Sequence, residues 1–219
     1  MKRRRNFTFW ISLTAFAVFS ALAGLRLLYG FDLWTLDASQ TWTTIAFDRI
    51  GGLFSTLGGI EVTVPAFAVL VIWLFVTNRR TLAIRLSAAM LVTSLVELAM
   101  KMWLPQVPMP EDAARTTGFS PVLDVPYSYP YPSGHMLRSM LLFGAIFLLW
   151  SSKVARALIV LAVAGMALSR VYLGVHWASD VIGGVLLGIA GLVWAFGKQS
   201  ACSGQPSAKT RSPKYQKDM

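Results

Sequence analysis

The sequence predicts an all-α, polytopic membrane protein with six transmembrane helices. Hydrophobic residues make up 55% of the 219-residue chain and charged residues only 14%, which is too little charge for the surface of a soluble domain of this size. The mean hydropathy is +0.58, and the apolar residues form repeated long runs. Such runs are typical of helices that cross a bilayer, because a helix satisfies its own backbone hydrogen bonds there.

The candidate spans follow one another along the chain with short or long polar connections. The first follows a basic start, and it has no small-residue cleavage site, so it indicates a signal anchor rather than a cleaved signal peptide. Short polar links at 77–80 and 151–153 predict helical hairpins. In chain order the six predicted spans are residues 7–28, 60–76, 82–103, 134–150, 154–173 and 177–196.

These spans predict one six-helix domain over 7–196, preceded by a basic N-terminus at 1–6 and followed by a disordered basic tail at 197–219. Within the domain, residues 31–59 carry Trp34, Trp42 and Phe47, which suit an interfacial helix lying on the membrane. Residues 104–133 contain seven prolines, which predict an ordered lid rather than a helix.

The tyrosines of the predicted lid have two interpretations. Tyr127, Tyr129 and Tyr131 alternate along the chain, and side chains of this type often anchor a protein at the level of the lipid headgroups. They could instead line a substrate mouth. Anchoring is the favoured expectation.

The distribution of charge predicts the orientation. The termini and the two short links, together with Arg85 and Arg156 just beyond those links, carry 14 of the 20 lysine and arginine residues, whereas nine of the ten acidic residues lie at the other end of the spans. The positive-inside rule then places both termini in the cytoplasm and the long connections outside. Because the positive charge lies at the ends of spans, the net charge of +10 does not indicate nucleic-acid binding. The single cysteine, Cys202, lies in the tail and excludes an internal disulfide.

The chain has only two histidines, and each lies in a polar cluster at the predicted outer ends of spans. His135 ends the tetrapeptide Pro-Ser-Gly-His, and His176 precedes Asp180 by four residues. This spacing puts His176 and Asp180 on one helical face. A carboxylate there can fix the tautomer of the imidazole and leave its other nitrogen free to attack.

Several further residues near the same ends predict an anion site. Lys101 and Arg170 are cations, and Arg is suited to bind phosphate oxygens with two donors. Ser133 and Gly134 precede His135, where a helix start points N–H groups at an anion. Snorkelling of Lys101 and Arg170 to the interface is the alternative for either residue alone. A metal site is poorly supported, because the cluster is rich in cations rather than oxygen ligands.

These residues resemble the motifs of the type 2 phosphatidic acid phosphatase and vanadium haloperoxidase superfamily. Its third motif is Ser-Arg, five residues, His, three residues, Asp, and this chain matches it from Ser169 to Asp180. Its second motif, Pro-Ser-Gly-His, is matched at 132–135. Its first motif, Lys, six residues, Arg-Pro, is matched at Lys101, but Pro108 stands at the arginine position.

The resemblance implies a role for each of these residues. His176 is then the nucleophile that forms a phosphohistidine, Asp180 orients it, and His135 protonates the leaving oxygen and later helps activate water. The residues implied to hold the phosphoryl group are Lys101, Ser133, Gly134 and Arg170, with no metal and no cofactor. Arg115 and Arg138 are the candidates to replace the arginine absent at position 108.

The resulting expectation is an integral lipid phosphatase of a cytoplasmic (inner) membrane, with an extracytoplasmic active site and a lipid phosphate as substrate. Undecaprenyl diphosphate is favoured, and phosphatidylglycerol phosphate or phosphatidate are other candidates. One alternative is a non-catalytic protein that binds or transports lipid phosphates through a degraded site. A vanadium haloperoxidase is less favoured, since the proteins of that kind are typically soluble.

Overall fold

In a computed structural model, residues 2–115 and 128–197 are described, with the backbone alone for residues 2–6. Every regular element in these ranges is helical, as the sequence predicts. A short 3-10 turn lies at Glu111–Ala113. The α-helices are α1 Lys2–Gly24, α2 Tyr29–Gln40, α3 Ile45–Leu57, α4 Ile60–Val76, α5 Arg80–Trp103, α6 Gly134–Leu149, α7 Lys153–Tyr172 and α8 Ala178–Phe196.

Five described stretches are long and apolar enough to cross a membrane. They are Phe7–Gly24, Ile45–Val76, Arg80–Trp103, Lys153–Tyr172 and Ala178–Phe196, and the second consists of α3 and α4 together. The remaining predicted span, the fourth at 134–150, corresponds to α6, which has 16 residues. At 1.5 Å per residue it is about 24 Å long, shorter than the ~30 Å hydrocarbon core. The protein is an all-helical membrane protein, and the number of six crossings stays a prediction.

Two predictions for the first 60 residues are wrong in detail. The first helix ends at Gly24 rather than at residue 28, because Arg26 adopts a left-handed conformation with φ of 60°. The segment 31–59 is two helices, α2 and α3, rather than one. The Thr44 hydroxyl begins α3 by accepting a hydrogen bond from the Phe47 N–H at 3.2 Å. The tryptophans of this segment are exposed: 66% for Trp34 and 78% for Trp42.

Helix α8 lies at the centre of the fold and packs on α1, α5 and α6. Glycines let the backbone of α6 approach it closely. A Cβ added at Gly184 would lie 2.4 Å from the Ser133 carbonyl, and one at Gly188 would lie 2.5 Å from Cβ of Met140. Any larger residue at these two positions would push α6, which carries His135, away from α8, which carries Asp180.

The tyrosine expectation is wrong for Tyr131. Its side chain is fully buried, its hydroxyl lies 2.9 Å from Ser20 Oγ, and its ring stacks on Phe16 of α1. Tyr131 therefore packs the lid segment against the first helix and contacts neither headgroups nor a substrate mouth. Tyr129 is half-buried, and Tyr127 lies outside the described residues. Of the predicted lid, residues 104–115 are irregular apart from the 3-10 turn, and 116–127 are outside the described ranges, as is the tail beyond Gly197.

Candidate active site

The predicted site residues meet at one end of the helical bundle. Lys101 lies in the last turn of α5, His135 in the first turn of α6, and Arg170 in the last turn of α7. His176 lies in the link between α7 and α8. Arg170, Arg138, Lys101 and His176 all lie close enough to His135 to interact with it electrostatically. The structure therefore brings both histidines and three cations into one site.

His176 and Asp180 form a buried pair. The distance from His176 Nδ1 to Asp180 Oδ2 is 3.1 Å, and Asp180 Oδ2 also accepts a hydrogen bond from the Trp177 N–H at 3.0 Å. His176 is 2% exposed and Asp180 is fully buried. The pKa of His176 lies well below its usual value of 6.5. Burial is the main cause, and the positive charges of Arg170, Lys101 and Arg138 lower the pKa further. The imidazole is therefore neutral, with Nε2 as the nitrogen that does not face the carboxylate.

The main chain links this pair to the second motif. The Ser133 N–H donates to the Asp180 carbonyl at 2.9 Å, so the start of α6 is fixed to the first turn of α8. Ser133 Oγ is buried and has no hydrogen-bond partner among the described residues. A buried hydroxyl without a hydrogen-bond partner destabilises the fold unless a ligand forms the missing hydrogen bond. The start of α6 and this hydroxyl together form a donor set for an anion.

The link before His176 depends on Gly174, which has a φ of 63°. The Val175 and His176 N–H groups both donate to the Arg170 carbonyl at 3.2 Å, which ends α7 in a compact turn. A Cβ at Gly174 would lie 2.1 Å from the Ala113 carbonyl. Only glycine fits both the left-handed conformation and this close approach.

Residues from outside the motifs hold the start of α8. Asp32 of α2 accepts hydrogen bonds from the Ser179 N–H and the Ser179 hydroxyl, both at 2.8 Å. Ser179 Oγ accepts a third from Gln106 Nε2 at 3.0 Å. Burial raises the pKa of Asp32 from 3.8 to about 6, against the lowering effect of the two Ser179 hydrogen bonds. Asp32 and Gln106 thus fix the helix turn that carries Asp180.

Each cation contacts a polar side chain, and for Arg170 and Arg138 that side chain belongs to another helix. Arg170 donates to Ser55 Oγ of α3 at 2.5 Å. Glu97, one turn before Lys101 in α5, lies 3.2 Å from Lys101 Nζ through Oε1 and 3.6 Å from an Arg138 nitrogen through Oε2. Arg138 therefore lies beside Lys101 in the site.

Arg115 has different partners. Its guanidinium makes a two-point ion pair with Asp48 of α3, at 2.6 and 2.9 Å, and lies 5.7 Å from the centre of the Tyr172 ring. Of the two residues predicted as substitutes for the absent arginine, the structure brings only Arg138 next to Lys101. Arg115 instead ties the lid segment to α3 and α7.

Four supporting residues were not predicted as part of the site: Asp32, Ser55, Glu97 and Gln106. Glu97 had a usable signal, because a carboxylate one helical turn from a lysine inside an apolar span is rarely without a role. The other three reach the site through contacts between elements distant in sequence, and no local pattern marks them. Among the described ranges, no group of three or more His, Cys, Asp or Glu residues could hold a metal ion.

A family comparison connects this geometry with known proteins. The sequence profile of the PAP2 superfamily matches residues 82–202, which is more than half of the chain and includes both histidine motifs. The chain belongs to the PAP2 superfamily. The resemblance predicted from the sequence is thereby confirmed, and the family indicates a hydrolase acting on phosphate esters.

Two curated proteins are similar to the chain in sequence. The putative undecaprenyl-diphosphatase YbjG of Escherichia coli (strain K12) is 31% identical over 136 residues, which cover 61% of this chain and 66% of that protein, just under two thirds of its length. An undecaprenyl-diphosphatase of Sulfolobus acidocaldarius is 29% identical over 195 residues, covering 84% of this chain and 87% of that protein.

The fold is similar to that of a solved member of the superfamily. The crystal structure of a transmembrane PAP2-type phosphatidylglycerolphosphate phosphatase from Bacillus subtilis superposes with a TM-score of 0.69. The match covers 85% of this chain and 94% of that one at 19% sequence identity. This likeness supports the membrane PAP2 fold of the chain.

Proposed function

We propose that this PAP2 protein is an integral-membrane lipid phosphatase that cleaves a phosphate monoester or diphosphate through a phosphohistidine intermediate. The observation that carries the proposal is the buried His176–Asp180 pair at 3.1 Å, surrounded by Lys101, Arg138 and Arg170 at one end of an apolar bundle. A neutral imidazole facing a cluster of cations is the arrangement that an attack on a bound phosphate requires.

In the first step, Nε2 of His176 attacks phosphorus and an N–P bond forms as the bond from phosphorus to the lipid-side oxygen breaks. His135, in the protonated form that the negative charge of the bound phosphate stabilises, donates its proton to the departing oxygen and is left neutral. In the second step, water attacks the phosphohistidine, His135 accepts a proton from it, and inorganic phosphate leaves with His176 neutral again. Asp180 stabilises the positive charge that develops on the His176 ring in the first step.

The phosphoryl oxygens are held by Lys101, Arg170, Ser133 and the start of α6 at Gly134. Arg138 provides the further cation that the family pattern expects at position 108. Preorganised donors of this kind stabilise the charge that develops in the transition state, and the loss of one commonly costs about 100- to 1,000-fold in rate.

A lipid substrate is supported by an apolar cleft of about 780 Å³ between α6, α7 and α8. The cleft begins at Met136, the residue after His135, and extends along the bundle to Phe147 and Phe196. A hydrocarbon chain lying there keeps a phosphate at its end beside His135. The two curated relatives named as undecaprenyl diphosphatases favour undecaprenyl diphosphate among the lipid phosphates.

The charge distribution supports cytoplasmic termini and an extracytoplasmic site in the cytoplasmic (inner) membrane. Cys202 is the only cysteine in the chain and belongs to the C-terminal tail, so it provides a direct test. A membrane-impermeant maleimide should label Cys202 in inside-out vesicles and leave it unlabelled in intact spheroplasts. Labelling in the spheroplasts contradicts the proposed orientation.

The test of function is phosphate release by the purified full chain in detergent. The substrates are undecaprenyl diphosphate, phosphatidylglycerol phosphate and phosphatidate, and the parent is compared with His176→Ala. We expect the highest kcat/KM for the diphosphate and a loss of at least about 1,000-fold in the variant. Equal activity of the two proteins rejects the mechanism. Lipid binding by a parent that releases no phosphate identifies a non-catalytic binding protein.

A further inference from the structure

One carboxylate in the site belongs to none of the motifs. Glu97 of α5 is 7% exposed and faces α6. Its two oxygens reach cations on two different helices, with Oε1 3.2 Å from Lys101 Nζ and Oε2 3.6 Å from an Arg138 nitrogen. We propose that Glu97, anchored on Lys101 of its own helix, is a positioning residue that aims Arg138 at the substrate phosphate and so lets Arg138 replace the arginine absent at position 108. The proposal rests on the proposed function.

Glu97 and Arg138 meet over the first turn of α6. A Cβ added at Gly134 would lie 2.0 Å from Glu97 Oε1 and 2.9 Å from an Arg138 nitrogen. The missing side chain at Gly134 is therefore what allows the carboxylate to lie against the helix start. This contact puts both charges next to Ser133 and His135, where the substrate phosphate is proposed to bind.

Burial makes the pairing of these charges necessary. The side chains of Lys101 and Arg138 are only 12% and 15% exposed, and that of Glu97 is 9% exposed. The loss of one partner from a buried ion pair leaves an uncompensated charge and is strongly destabilising. Asp180 is the other carboxylate that acts on Lys101, but it is already bound to His176 and the Trp177 N–H.

The pairing leaves donors of Arg138 for a ligand. A guanidinium has five N–H donors. Arg138 Nε is buried and has no hydrogen-bond partner among the described residues, and the 3.6 Å approach to Glu97 is longer than a strong charge-assisted hydrogen bond. Glu97 thus restricts where the guanidinium can lie without using all of its donors. A long side chain held in this way loses less rotamer freedom when it binds an anion.

If Glu97 only repelled the substrate phosphate, the binding measurements would give a different result. A carboxylate that only filled the anion site would repel phosphate, so neutralising it would tighten phosphate binding. A positioning residue that acts through Arg138 should weaken binding when it is neutralised, and only while Arg138 is present. A double-mutant cycle separates the two.

The experiment measures binding of inorganic phosphate to the purified full chain by isothermal titration calorimetry. The proteins are the parent, Glu97→Gln, Arg138→Ala and the double variant. We expect Glu97→Gln to raise the Kd about tenfold, and the double variant to bind within twofold of Arg138→Ala. A parent that binds no phosphate overturns the proposal, as does an unchanged or tighter Kd in Glu97→Gln, or two effects that multiply in the double variant.

Two further variants keep the result specific. Glu111→Gln, an exposed carboxylate in the 3-10 turn, is the matched control and should bind phosphate like the parent. Glu97→Asp keeps the charge with one methylene fewer, and its Kd should lie between those of the parent and Glu97→Gln. It also gives the readout if Glu97→Gln does not fold. A complete cycle in a protein that hydrolyses no lipid phosphate retains the positioning role and rejects the proposed function.

Discussion

Replacement of Asp180 by asparagine tests the proposed chemistry most directly. In the folded protein Asp180 Oδ2 faces His176 Nδ1 at 3.1 Å and accepts the Trp177 N–H at 3.0 Å. Asparagine has the same shape and can accept both hydrogen bonds through its single oxygen. The substitution therefore removes the negative charge while it retains the geometry, and the charge matters most when the His176 ring becomes positive as the N–P bond forms.

The distance between Asp180 and His176 gives the expected size of the fall in kcat. Two unit charges 3.1 Å apart interact by about 5 kcal/mol at an effective dielectric constant of about 20. A neutral acceptor retains roughly half the strength of a charged one, so the loss is about 2.5 kcal/mol. Because about 1.4 kcal/mol corresponds to a tenfold change in rate, kcat should fall about 100-fold. An amide that presents its NH₂ group to Nδ1 instead would enforce the wrong tautomer and lower kcat further.

The assay is the steady-state release of phosphate from a lipid diphosphate. KM should change by less than about threefold, because Asp180 touches the nucleophile and not the proposed phosphate site. The exposed Asp37 of α2 provides the matched control, and Asp37→Asn should keep the parent rate. A melting temperature of Asp180→Asn close to that of the parent excludes unfolding as the cause. A kcat within tenfold of the parent would refute the role of Asp180 in stabilising a charged His176.

Three further predictions concern the support of the site and its substrate. Arg115→Ala should destabilise the fold by about 1 kcal/mol through the lost pair with the partly buried Asp48 and keep a kcat/KM at least tenfold above that of Arg138→Ala. The reverse order in the phosphate-release assay would make Arg115 the substitute. The raised pKa of Asp32, about 6 against 3.8, contributes stability that is fully present below pH 3.8 and lost as the pH rises through 6. Thermal unfolding should therefore show a larger gain from pH 7 to 4.5 in the parent than in Asp32→Asn, by at most about 3 kcal/mol, and equal gains contradict this. Ala164→Phe, which narrows the cleft, should lower kcat/KM for a long-chain lipid phosphate but not for a short-chain one. An equal loss in the control Leu161→Phe, on the same helix but outside the cleft, would show that the cleft does not bind the substrate.

The helices and the motif residues could be predicted from sequence because each depends on local chemistry. Long apolar runs predict spans whatever they pack against, and bounds such as Ile60–Val76 agree with the structure. The contact between His176 and Asp180 was also predicted from their spacing, but not their shared helical face: His176 lies in the link before α8, and Asp180 contacts it from the first turn of that helix. The left-handed Arg26 was not predictable in the same way, because positive φ at a non-glycine residue depends on its surroundings.

The residues that hold the site in place could not be predicted from the sequence, because their contacts join positions far apart in the chain. Asp32 reaches Ser179 across 147 positions of sequence, and Ser55 reaches Arg170 across 115. Neither contact leaves a periodic trace, and the polar pattern of residues 31–59 suited an interfacial helix equally well. Tyr131 shows the same limit, since tyrosines near a membrane surface commonly face the headgroups, and only the packing of α1 reveals that this one is buried.

A phosphate site can form although Pro108 stands at the arginine position of the first motif, because the cations need only be close in space. A phosphate site needs several cations around one point, and their position in the chain is free as long as their side chains reach that point. Arg138 lies on α6, the same helix whose start carries Ser133 and His135, so its backbone is fixed relative to the proposed acid. Its aim depends on Glu97 of α5, which also holds Lys101. The two helices are thus coupled through one carboxylate, and a change that separates α5 from α6 should disturb both cations together.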